Sequence, residues 1–182
     1  MILHKDIDKV LISQEEIENI VNSLAKQIEK DYNDKEFIMV GLLKGSIPFM
    51  ADLMRHIHLD FFVDCITAAS YGSGTETSGT VRIVHDMTVS VKDKHVLIVE
   101  DIVDSGHTLS AVVNMLMERG AKSVKICTLC DKPARRKVPL VPDYSGIEVP
   151  DAFIVGYGLD FAQKYRNLPY IGILKPEVYE TT

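Results

Sequence analysis

The sequence predicts an α/β fold built on a mainly parallel sheet flanked by helices. Short apolar runs alternate along the chain with longer segments of helical periodicity. The most apolar run, 96–99, passes through a polar loop directly into a helical pattern. Helix starts and stops carry matching capping residues.

The first helix is expected over 14–31, where Ile17, Ile20, Val21, Leu24 and Ile28 recur at helical spacing. Ser13 with Glu16 three residues on reads as a capping box. Residues 37–40 are all apolar and stop at Gly41, the pattern of a buried strand. Leu43, Lys44, Gly45 and Ser46 form a loop, and Ser46 with Pro48 opens a helix reaching about 56. Strands follow over 61–69 and 81–87. The segment 71–79 between them is rich in Gly, Ser and Thr and carries almost no core-forming residue. It suits a mobile lid or a plain solvated hairpin loop equally well.

The strand over 96–99 precedes a helix over 108–119, with Leu109, Val112, Val113, Leu116 and Met117 as its stripe and Gly120 as its C-terminal cap. A strand over 124–129 comes next, then a basic and Pro-rich loop over 131–144. Two short strands, 152–155 and 171–174, complete the pattern.

A chain of 182 residues suits one domain with a full core. The net charge of −6 argues against a nucleic-acid partner, and no apolar run is long enough for a membrane span. The N-terminal residues lack the apolar stretch of a signal peptide. Cys65, Cys127 and Cys130 are too few, and odd in number, for a disulfide framework. A cytoplasmic protein is expected. Cys127 and Cys130 have CxxC spacing but lie on a strand, so they read as buried thiols. His56 and His58 lack further ligands nearby and read as surface residues.

The chemistry concentrates after the apolar strand, in Glu100, Asp101, Ile102, Val103, Asp104, Ser105, Gly106, His107 and Thr108. In open α/β sheets, ligands bind beyond the carboxyl ends of the strands. Adjacent carboxylates suit a sugar diol, because each oxygen accepts a hydroxyl hydrogen bond, and they suit a metal ion as well. If both serve one ligand, the strand must stop pairing near Glu100 and twist. Behind them, Gly106 allows close backbone approach at a helix N-terminus whose free N–H groups and dipole favour an anion. Ser105 and Thr108 add hydroxyl donors. Acceptors for a diol followed by a phosphate cradle describe a ribose 5-phosphate. Neither a Walker loop nor a dinucleotide fingerprint is present.

This segment resembles the phosphoribosyl pyrophosphate signature of the type I phosphoribosyltransferases. The wider chain, from about 5 to 178, resembles the hypoxanthine-guanine phosphoribosyltransferases among them. The resemblance implies the type I phosphoribosyltransferase fold as a single domain over 1–182. It also implies a small hood formed by the N- and C-terminal segments and a lid over about 70–80. Glu100 and Asp101 would bind the ribose hydroxyls with Mg2+, and Asp104 through Thr108, His107 included, would hold the 5-phosphate. His107 is assigned no catalytic role, whereas Asp104 would also be the general acid/base near the purine N7. Leu43, Lys44 and Gly45 match the pyrophosphate loop, where a non-proline cis peptide often precedes the lysine. The chain departs from the family at Ser46, where a second glycine is common.

The resemblance further implies that Ser70 and Tyr71 open the lid and that Lys132 contacts the purine 6-oxo group. Phe153 would stack on the base and the backbone of Ile154 would contact it. Asp160 would lie near a second metal ion and the 2-position of the base, and Arg166 would contact pyrophosphate. By residue type alone, Lys132 reads as a surface lysine in the cluster with Arg135, Arg136 and Lys137, Phe153 as core, and Asp160 as a turn residue. The implied reaction moves a phosphoribosyl group from phosphoribosyl pyrophosphate to hypoxanthine or guanine, giving IMP or GMP. A homodimer or homotetramer is expected. The alternatives are a different base preference, a pyrimidine enzyme, or a non-catalytic regulator that senses the sugar phosphate.

Overall fold

The computed structural model describes residues 3–70 and 81–180. In chain order the elements are β1 (Ile7–Ile12), α1 (Gln14–Tyr32), β2 (Phe37–Leu42), α2 (Ile47–His56), β3 (Phe62–Ser70) and β4 (Val81–His85). Then come β5 (His95–Val103), α3 (His107–Glu118), β6 (Ser123–Asp131), a short 3-10 turn (Pro133–Arg135), β7 (Tyr144–Glu148), β8 (Ile154–Val155), β9 (Ile171–Leu174) and α4 (Pro176–Tyr179). Among the described residues no helix is long and apolar enough to cross a membrane.

Six strands form one sheet in the order β4-β3-β2-β5-β6-β7. All neighbours are parallel except β3 and β4. Side chains alternate across each strand, so β2 and β5 feed two cores at once. Phe37, Met39, Leu97 and Val99 pack under α1 and α2, while Ile38, Val40, Val96 and Ile98 pack under α3. A strand buried on both faces must be apolar throughout, which is why these two runs carry the clearest strand signals.

Helix α1 starts at the expected capping box: Ser13 and Glu16 each accept the other's backbone N–H, at 3.2 and 2.7 Å. Helix α3 ends as expected at Gly120, which takes φ +86. The N–H groups of Gly120 and Ala121 donate back to Met117 and Leu116, closing the paired bonds of a Schellman cap.

Two strands escape the sequence reading. β1 mixes charged and apolar residues, and β7 is a five-residue edge strand with a glycine at its centre, so neither shows a clean period. β1 joins β9 and β8 in a separate three-stranded antiparallel sheet, order β1-β9-β8. That sheet has its own small core of Ile7, Val155, Tyr170 and Leu174. The loop expected over 131–144 is shorter than it reads, because β6 continues through Asp131 and β7 begins at Tyr144.

Chain direction places the ligand-binding end. From β2 the chain moves outward to β3 and β4, then returns to β5 and moves the other way to β6 and β7. The carboxyl ends of β2 and β5 therefore flank a topological switch point, where such sheets open a crevice.

Candidate active site at the switch point

The crevice arises because β5 is longer than β2. Pairing with β2 ends at Val99, opposite Gly41, whereas pairing with β6 runs on to Val103 opposite Asp131. The expectation that the strand stops pairing near Glu100 is therefore corrected. It loses one neighbour there and keeps the other. Beyond Val99 the β2 side is open, and a cavity of about 240 Å³ fills the space. Leu42 and Leu43 line one wall of it, and Glu100 to Gly106 line the other.

Glu100 and Asp101 both line this cavity. Burial, and after it the neighbouring Asp101 carboxylate, hold the Glu100 carboxyl well above the usual carboxylate range. Asp101 is buried, and its Oδ1 accepts the Ile102 N–H at 3.0 Å. Two carboxylates pressed together call for a cation or for hydroxyl donors, which is the donor chemistry of magnesium and of a sugar diol. Among the described residues no group of three His, Cys, Asp or Glu could hold a metal ion by itself. Asp160 is not gathered with the pair, since its Oδ1 is held by Arg166 at 2.8 Å. A magnesium ion bound at Glu100 and Asp101 would take its remaining ligands from substrate oxygens and water, as this ion commonly does.

The loop behind the acids is built for an anion. Gly106 is the N-cap of α3 at φ +83, and no side chain caps the helix there. The free N–H groups of the first turn, from His107 and Thr108 onward, thus remain for a ligand. Glycine is required twice over at this point: besides its positive φ, a Cβ would lie 2.9 Å from Val138 Cγ2. The Lys137 N–H donates to the Ser105 carbonyl at 2.9 Å, bracing the loop from behind. Asp104 Oδ1 is buried and has no hydrogen-bond partner. A buried carboxylate oxygen left unsatisfied is costly and marks a position where a ligand proton completes the set.

Leu43 and Lys44 are joined by the cis peptide that the resemblance implied. Ser46 needs no glycine. It sits fully buried at φ −66, and its Oγ donates to the Leu42 carbonyl at 2.5 Å. Lys44 is exposed, while Gly45 packs against Asp101. Ser70 ends β3 opposite Val81; Tyr71 and the rest of the expected lid, through 80, lie outside the described residues.

A second cavity of about 310 Å³ adjoins the first, and Ile102 and Asp104 line both. Its walls include Lys132, Phe153, Ile154 and Asp160. Lys132 is not the surface lysine its neighbours suggest: it is 6% exposed, and its Nζ donates to the Ala152 carbonyl at 2.9 Å. Its backbone N–H donates to Val103 at the end of β5, so the lysine is tied to the acidic strand. Phe153 is not core: it is 39% exposed, against a buried Ile154 beside it. Asp160 acts as the expected turn residue, its Oδ2 accepting the Gln163 N–H at 2.8 Å, and its Oδ1 also pairs with Arg166.

Arg166 enters neither cavity and borders a separate groove beside His4 and Lys5. It still connects to the site, because its Nη1 donates to the Gly158 carbonyl at 2.7 Å and Gly158 packs on Gly45. Cys127 and Cys130 are free and buried, as expected, and burial raises both thiols. Asp151, Leu159 and Tyr179 also line the base-side cavity, and the sequence reading gave them no role. Asp151 and Leu159 could have been found by their places beside Phe153 and Asp160; nothing near Tyr179 in the sequence marks it.

Residues 12–162 match the model of the phosphoribosyl transferase domain family. The chain is 52% identical to the hypoxanthine-guanine phosphoribosyltransferase of Bacillus subtilis (strain 168), over 97% of this chain and 98% of that one. It is 50% identical to part of the bifunctional protein TilS/HprT of Listeria innocua, of whose length it spans 27%. Its fold is similar to that of a crystallised hypoxanthine phosphoribosyltransferase from Staphylococcus aureus, with TM-score 0.94 and 47% identity over 97% of this chain and 96% of that one.

Proposed function

We infer the reaction from one premise: this chain belongs to the phosphoribosyl transferase domain family and is a purine-salvage phosphoribosyltransferase. We propose that it transfers the 5-phosphoribosyl group of phosphoribosyl pyrophosphate to N9 of hypoxanthine or guanine, giving IMP or GMP and pyrophosphate. The observation that carries this is the junction of two cavities at Asp104, whose Oδ1 is buried and unpartnered. One cavity has the chemistry of a ribose phosphate, the other that of a planar base, and the bond to be made lies between them.

In this reading Glu100 and Asp101 accept hydrogen bonds from the ribose hydroxyls. The loop from Asp104 to Thr108 receives the 5-phosphate on backbone N–H groups and hydroxyls. Leu43, Lys44 and Gly45, with Arg166, receive the pyrophosphate. Lys132 donates to the purine 6-oxo group; an ammonium has three N–H bonds, so the bond to Ala152 leaves it donors to spare. The same charge disfavours adenine, whose 6-amino group also donates. Phe153 stacks on the base, the Ile154 backbone contacts it, and Asp160 lies toward its 2-position. Asp104 takes or shares the N7 proton as N9 attacks, and its negative charge favours a cationic sugar in the transition state. Glu100 and Asp101 would hold a magnesium ion and Asp160 would lie near a second; bound magnesium would neutralise charge on the leaving pyrophosphate.

The test is a panel of hypoxanthine, guanine, xanthine and adenine with phosphoribosyl pyrophosphate and magnesium. Nucleotide and pyrophosphate should form with the 6-oxopurines and not with adenine. Silence with every base would favour a non-catalytic sensor of the sugar phosphate. We also propose a cytoplasmic homodimer or homotetramer; a monomer by light scattering would contradict that assembly.

A further inference from the structure

Phe153, the base platform of the reaction proposed above, poses a physical problem. It is a large apolar ring exposed at 39%, on a side chain free to turn about two bonds. Its backbone is pinned, because its carbonyl accepts the Leu174 N–H at 2.8 Å, but this does not fix the ring. A stacking platform must hold one orientation before the base arrives, or binding must also order the ring.

Two aromatic neighbours supply the restraint. Phe161 meets Phe153 edge-on, with centroids 5.4 Å apart and planes at 90°. Tyr179 lies nearly parallel to it, with centroids 5.0 Å apart and planes at 21°. Both are favourable geometries for aromatic pairs. Phe161 is eight positions from Phe153, whereas Tyr179 arrives from the far end of the chain, in α4 directly after β9. That turn is anchored twice. β9 pairs with β1 along Ile7 to Ile12, and the Lys175 N–H donates to the Asp6 carbonyl at 3.0 Å. Tyr179 also borders the same cavity as Lys132 and Asp160.

We propose that Tyr179 is a positioning residue for the purine: stacked on Phe153, it fixes that ring and extends the aromatic wall of the base cavity. This inference rests on the reading of that cavity as the purine site. It assigns the C-terminal turn to base recognition and gives it no part in holding the sugar phosphate. The ring of Tyr179 is what matters, so phenylalanine should replace it.

The experiment uses the full chain with Tyr179→Ala, Tyr179→Leu and Tyr179→Phe. KM is measured for hypoxanthine and, separately, for phosphoribosyl pyrophosphate. The alanine and leucine variants should raise KM for hypoxanthine about 3- to 10-fold, with KM for the sugar donor within about twofold of normal. Tyr179→Phe should restore hypoxanthine KM to within about twofold, since it keeps the stack. The leucine variant fills much of the same space and carries the test if alanine fails to fold. An unchanged or lowered hypoxanthine KM, a parallel rise in both KM values, or a phenylalanine variant as weak as alanine would each overturn the inference. If Phe153→Ala weakens hypoxanthine and Tyr179→Ala does not, this inference fails while the reaction stands. A wild-type protein inactive with every purine overturns both.

Discussion

Gly158 packs directly onto the carbonyl oxygen of Gly45: a Cβ built on Gly158 would lie 1.9 Å from that oxygen. Gly45 in turn presses on the ribose-side acid, since its own Cβ would fall 1.9 Å from Asp101 Oδ2. The Gly158 carbonyl accepts Arg166, so a chain of close contacts runs from Arg166 through two glycines to Asp101. It joins the loop after β8, the loop after β2 and the end of β5.

The two glycines should respond differently to alanine. At Gly158 the new atom meets backbone, and φ is +101, so Gly158→Ala should lower stability by about 2–4 kcal/mol. At Gly45 the obstacle is a carboxylate that can turn aside. Gly45→Ala should leave the thermal midpoint closer to normal yet reduce kcat/KM for phosphoribosyl pyrophosphate about 100-fold, the size of a small misplacement at a reacting centre. Normal kcat/KM in Gly45→Ala would remove this contact from the site's requirements.

Asp104→Asn keeps the shape of the side chain and removes its basicity. Turnover should fall about 100- to 10,000-fold, the range for losing a general acid or base. KM for phosphoribosyl pyrophosphate should change little, because the phosphate loop relies on backbone N–H groups. Near-normal turnover would take Asp104 out of the proton transfer.

Lys132→Met replaces a buried ammonium with a side chain of similar length. Hypoxanthine KM should rise about 10- to 100-fold, the loss of a hydrogen bond from a charged donor. A selective loss of sugar-donor affinity would relocate Lys132 to the phosphate side.

Asp64 offers a pH test independent of activity. Burial pushes its carboxyl up, and the N–H groups of Val89, Cys65 and Thr88 more than reverse this, leaving it below its ordinary 3.8. A folded value below the unfolded one gives stability that is fully present above the unfolded value and is lost as pH falls through the folded one. Asp64→Asn should therefore lower the thermal midpoint at pH 7, by about 2–8 °C for a loss of roughly 1–2 kcal/mol. The gap between variant and wild type should close as the pH is brought below the usual carboxylate range. A gap that stayed constant into acid would show that the charge of Asp64 contributes nothing.

The sequence alone determined the sheet's interior, because burial on both faces leaves an unbroken apolar run and a helix on one face leaves a period. Residues 37–40 and 96–99, the Ser13–Glu16 box and the Gly120 cap were all legible on those grounds. The loop from Glu100 to Thr108 was legible as well, since acids, glycine and hydroxyls crowd into a single strand–helix junction. Tertiary structure alone decided what those residues meet. It buried Lys132, exposed Phe153, brought Tyr179 from the C-terminus onto Phe153, and set Arg166 at Gly158 rather than in either cavity. It also kept β5 paired with β6 beyond Glu100 while β2 fell away, and this opened the cavity. The reason is one of range. Periodicity and capping act over a few neighbouring residues and leave their mark in the spacing. Contacts between residues far apart in the chain depend on how whole elements pack, and nothing in the local pattern of Tyr179 or Gly158 records the ring or the carbonyl waiting on the other side.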